Sequence, residues 1–245
     1  MTINAPWGIL PRLLFGGIGM ATSNSYSFNP DLGSMTLYAY NLIGVRNTSI
    51  LQEHIEAARM ATNLLLSRWS ADGLNLWKVD LVTVPLSQGV STYSVDPSTI
   101  VILDMYIEYG SPPIDRIILP ISRTEYASYP QKTQQGFPTV AWFDRLLSPT
   151  ITIWPVPDGS QTNLKYYRLV QLQDANMNGS QQMDIPYYFL DALVYGLAVR
   201  LAQIWAPDKV AVLKPFADES YEIAVKQNVE TASYFVSPQL SGYWR

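Results

Sequence analysis

The sequence predicts an α+β fold: a helical bundle built from both ends of the chain, with an antiparallel β-sandwich or barrel inserted between them. Three observations predict it. Leu51, Ile55, Ala58, Thr62, Leu65 and Trp69 recur at three-four spacing, which puts them on one face of a long helix. Between Val79 and Val170 the alternation becomes two-residue, and prolines and β-branched residues recur. Residues 187–205 are apolar nearly all round, with Asp191 and Arg200 the only charges, so that helix is buried on most sides.

Taken in order, residues 1–33 carry Pro6, Pro11, Pro30 and five glycines and read as an irregular arm. Within it, Gly8 to Ala21 is the most membrane-like stretch. It is too short to span a bilayer and is broken by Pro11, Arg12 and glycines. Nothing basic precedes Arg12, as a signal peptide would require. An extended arm and a segment upstream of a start at Met20 both remain open. A short helix from Met35 to Val45, capped by Ser34, ends at Gly44.

The long helix starts at Ser49, with Gln52 three residues on as a capping box, and stops at Asp72-Gly73. Its stripe needs a partner, and the helix of residues 187–205 is the nearest one. The expected core is Leu51, Ile55, Leu65, Trp69 and Trp77 against Leu193, Leu197 and Leu201. The bundle then comprises residues 34–78 and 184–235, and the β domain residues 79–183.

Strands are expected at Val79–Pro85, Ser91–Val95, Ile100–Glu108, Ile114–Pro120, Thr139–Asp144, Thr150–Pro155 and Asn163–Val170. Turn residues at Gln88-Gly89, Gly110-Ser111-Pro112 and Pro157-Asp158-Gly159 separate them. Ser122 to Tyr126 reads as one capped helical turn. Residues 171–183 are a polar connection, and Pro186 opens the apolar helix where its missing amide costs nothing. A last helix runs from about Lys209 to Tyr234, with Pro215 inside it, and residues 236–245 form a tail.

Chemistry is hard to find in this chain. It has 245 residues, 48% of them apolar and 15% charged, which suits a well-filled core rather than disorder. Without cysteine there are no disulfides, thiol nucleophiles or thiolate metal sites. The single histidine, His54, excludes a metal site of several histidines from one chain, and packing or exposure explains it better than catalysis. Asp104, Glu108, Asp115 and Glu125 could supply a carboxylate pair, but no spacing selects one. Asp104 and Glu108 would share a strand face with Ile102 and Tyr106. Gly16-Gly17-Ile18-Gly19 lacks the lysine and hydroxyl residue of a phosphate loop. The net charge of −4 and 16 scattered basic residues argue against tight nucleic-acid binding. The segment LKYYRL at 164–169 interleaves bases with aromatics once, as a half-buried strand also would. Abundant tyrosine and tryptophan suit protein–protein surfaces.

Four stretches together resemble the head-to-tail adaptors of tailed bacteriophages, the head-completion or tail tubular proteins beneath the portal. They are LLLSRWSADGLNLW at 64–77, GFPTVAWF at 136–143, PTITIWPVPDGSQTNLKYYRL at 149–169 and IPYYFLDALVYGLAVRLAQIW at 185–205. The first carries a W-x-x-x-G-L-x-L-W pattern and the third a W-P-x-P-D turn. The resemblance covers residues 35–245. It implies a non-enzymatic virion protein of the neck, assembled in the host cytoplasm and needing no cofactor or metal. It implies a ring, usually of twelve copies, between the portal and the tail tube or nozzle. Double-stranded DNA would pass through without sequence readout, and no membrane is involved. The tail would reach the portal or a neighbouring subunit through Ser237, Pro238, Tyr243, Trp244 and Arg245. Another tail or baseplate component, or a tail-borne peptidoglycan-degrading enzyme, are the alternatives.

Overall fold

The computed structural model describes residues 25–73, 76–176 and 180–229 of the chain. Over the described residues the fold is α+β, with five α-helices and one curled, seven-stranded mixed sheet. Most of the arm and all five tail residues expected at an interface lie outside the described residues.

The first helix, α1 (Leu32–Ile43), starts earlier than expected. Asp31, not Ser34, is its N-cap, and the carboxylate accepts the Ser34 amide proton at 2.6 Å. Helix therefore takes over at Leu32, inside the span expected to be arm. Gly44 closes the helix at φ +87°, a conformation that favours glycine.

The long helix, α2 (Gln52–Ala71), also starts differently. Ser49 lies in a preceding 3-10 turn, and Leu51 occupies the N-cap. Leucine has no oxygen to offer there. His54 instead reaches back, its Nδ1 accepting the Leu51 amide proton at 3.2 Å. The helix buries His54, Ala58, Ala61, Thr62, Leu65, Leu66 and Trp69.

Two residues expected in the core are therefore corrected. Leu51 is 61% exposed because it sits at the cap, ahead of the helix. Ile55 is 38% exposed because it lies at the stripe's edge, where His54 takes the inward position one residue earlier.

Helix α4 (Leu190–Trp205) is the hub, with α1, α2 and α5 (Val210–Gln227) all packed against it. Leu193, Leu197 and Leu201 are fully buried there, and Leu65 and Trp69 meet the same helix. Gly196 lets α2 approach closely, since a Cβ at that position would lie 3.0 Å from Leu65 Cδ2. Helix α5 contains Pro215 and ends at Gln227, short of the expected Tyr234.

The strands are β1 (Val79–Pro85), β2 (Thr92–Ser94), β3 (Thr99–Tyr109), β4 (Ile114–Pro120), β5 (Val140–Asp144), β6 (Thr150–Trp154) and β7 (Gln161–Val170). Their order in the sheet is β1-β7-β3-β4-β5-β6-β2. The expected antiparallel sandwich or barrel is corrected to this single mixed sheet, because β4 and β5 pair in parallel. Parallel neighbours need a crossover, and the segment holding α3 (Arg123–Ser128) provides it. Tyr126 stacks on Trp142 and Tyr129 on Trp154, which fastens that crossover to β5 and β6.

Buried side chains form separate clusters. Two lie among the helices, and one, built on Ile107, Ile118, Ile151, Ile153, Leu164 and Tyr166, lies on the sheet. The connection after β7 belongs with the helices rather than with the strands. Leu172, Ala175 and Met183 are buried in the helical core, and Asn63 of α2 makes two hydrogen bonds to the Ala175 backbone, at 2.7 and 3.0 Å.

Candidate interaction surfaces

No group of three His, Cys, Asp or Glu residues that could hold a metal occurs among the described residues. His54 is buried for packing: it stacks on Trp205 at 4.1 Å between ring centroids, edge-on to Tyr40. The Tyr40 hydroxyl donates to the His54 carbonyl at 2.6 Å, and burial pushes its pKa up to about 12.

The four carboxylates do not converge. Glu125 lies in the first turn of α3, where its amide donates to Ser122 Oγ at 3.1 Å. Asp104 is exposed. Glu108 and Asp115 face each other across β3 and β4 and share the Lys165 ammonium, at 2.6 and 3.1 Å. A register shift between Ile102 and Met105 removes the strand face expected to join Ile102 with Tyr106. Ile102 packs instead against the sheet core.

Lys165 first, then Asn163, hold the Glu108 carboxyl below its ordinary 4.5. A depressed folded pKa gives stability that is present above 4.5 and lost as pH falls through the lower folded value. Glu108→Gln is therefore expected to flatten the fall of melting temperature with pH below 4.5. An acid limb as steep as the wild type's would show that this cluster contributes nothing.

What remains after both cores are filled is exposed apolar surface. On the outer sheet face, Ile117 lies opposite Tyr106 and is 57% exposed, and Leu119 beyond it is 61% exposed. On the helices, Tyr26, Phe28, Tyr38, Tyr187 and Val194 line an open groove of about 950 Å³ between α1 and the start of α4. A second groove, of about 490 Å³, lies among α2, α4 and α5 and holds Arg68, Arg200 and Lys214. Contiguous exposed apolar surface marks contact sites more than isolated exposed residues do. Sequence periodicity could not find these faces, since it separates inside from outside and not free from covered.

At the junction of helices and sheet, Trp77 Nε1 donates to the Asp184 carbonyl at 3.1 Å and Lys78 pairs with the Asp184 carboxylate. The half-buried Trp77 ring packs against Phe189. The two places where the chain passes between helices and strands are thus tied together.

These surfaces belong to a phage head-to-tail adaptor, a class of structural proteins rather than enzymes. Within that class, residues 40–233 match the family model described as SU10 adaptor protein, and the chain belongs to that family. No curated protein matches it. Among the described residues, no helix is long and apolar enough to cross a membrane.

Proposed function

We propose that this chain is the subunit of an adaptor ring, twelve copies strong, that docks beneath the portal, extends the DNA channel and carries the tail attachment site. The helices form a bundle domain that builds the ring and meets the portal. Residues 79–170 project from it as a β domain toward the tail tube or nozzle. Residues 236–245 reach the portal or a neighbouring copy, with Tyr243 and Trp244 as anchors. The observation that carries this reading is the presence of uncovered apolar faces on both parts of the molecule, Tyr38 and Tyr187 on the helices and Ile117 and Leu119 on the sheet. A subunit that joins copies of itself through its helices and a tail component through its sheet needs a separate surface for each. The acidic balance of the chain suits a channel that lets DNA slide.

Deleting residues 236–245 tests the assignment of the tail. Portal attachment is expected to be lost while the circular dichroism spectrum and melting curve are kept. A truncated chain that still binds portal would contradict it.

A further inference from the structure

The groove among α2, α4 and α5 has the wrong composition for a finished surface. Arg200 enters it from α4 half-buried, Arg68 from α2 and Lys214 from α5. None of the three forms an ion pair among the described residues, although Asp218 stands at the α5 side of the groove. Burial, and then the neighbouring Arg68, push the Arg200 pKa down, so the groove holds positive charge at a cost. A guanidinium in that position is suited to a carboxylate or phosphate, which it can grip with two parallel N–H donors.

The occupant is narrowed by what surrounds the charges. Leu65, Val199 and Val210 also line the groove, whereas duplex DNA is gripped by an exposed basic stripe. The matching feature lies on the opposite side of α4. Asp191 is exposed, forms no ion pair among the described residues, and sits in the aromatic groove with Tyr38 and Tyr187. Asp191 and Arg200 are nine residues apart on one helix, so at roughly 100° per residue they point about 180° apart. They cannot satisfy each other within a single chain.

We propose that Arg200 and Arg68 of one copy bind Asp191 of a second copy, seating the α1–α4 aromatic flank of the second against the α2–α5 flank of the first. Such a contact is head-to-tail, and repeated with a closing rotation it generates a ring. The inference rests on the ring reading above and names the side chains that join its subunits.

The absence of native cysteine makes the test direct. The full-length double variant Tyr187→Cys, Gln203→Cys, which keeps Asp191 and Arg200 and places one thiol in each groove, treated with a short bismaleimide, is expected to give a ladder of covalent oligomers. The control pair Glu125→Cys, Gln203→Cys should give none. Separately, Asp191→Arg and Arg200→Glu should each lose self-association in sedimentation, and mixing the two variants should restore it. No ladder above the control overturns the contact. If the chain still assembles on portal without a ladder, the ring reading stands and this contact alone is wrong. A labelled DNA duplex that binds the wild type but not Arg200→Glu would assign the groove to phosphate and overturn the carboxylate.

Discussion

Trp69→Ala is expected to lower the stability of the subunit by about 3–5 kcal/mol, a large part of what a domain of this kind possesses. The ring is 4% exposed. It stacks on Tyr221 at 5.9 Å and leans on Phe189 at 5.4 Å, so α2, the start of α4 and α5 all meet on it. Truncation leaves a cavity bounded by three elements, each held elsewhere and unable to collapse fully into it. Chemical denaturation followed by far-ultraviolet circular dichroism reads the loss directly. An unchanged midpoint would mean that this face is held by something other than its own helices.

The second large effect falls on the sheet. Ile107→Ala, at a fully buried position of β3, is expected to remove roughly 2–5 kcal/mol from the sheet core. The helical clusters and the sheet cluster share no buried side chain, so the loss should stay local. The variant is expected to melt in two steps, the strands first and the helices near the wild-type temperature. A single transition shifted as a whole would contradict the proposed β domain. Combined with Trp69→Ala, the two losses should add, because the sites have no partner in common.

The strands were the most legible part of the sequence. The ranges expected from alternation at Val79–Pro85 and Ile114–Pro120 coincide with β1 and β4, and the remaining five differ from the observed strands by two residues or fewer at either end. Alternation speaks of a strand's faces, however, and not of its neighbours. The parallel pairing of β4 with β5 depends on where the α3 crossover lands, which no local pattern records. Likewise the shift in β3 between Ile102 and Met105 is a matter of pairing, and it reverses the face that spacing assigns to Ile102.

Helix caps are less legible, for a chemical reason. Ser34 and Ser49 are good cap residues by type, yet Asp31 and the imidazole of His54 do that work. A histidine accepting through Nδ1 from N3 has no place in a serine-based pattern. The cap at Leu51 rather than Ser49 leaves Leu51 ahead of the helix, whereas Ile55 is inside it and the three-four spacing alone puts it in the expected core. The polar look of residues 171–183 hid Leu172, Ala175 and Met183 in the same way, because three apolar residues spaced along a loop show no period. The exposed apolar faces were not legible, since an exposed Ile117 and a buried Ile118 look alike in a sequence.

The proposed function requires copies of this chain to form a ring on the portal. Electron microscopy of the purified chain mixed with its portal protein tests it most directly. The expected image is a second ring with twelvefold symmetry stacked on the portal, with the helices against it and the sheets pointing away. A portal that never gains a second ring under any assembly condition would contradict it.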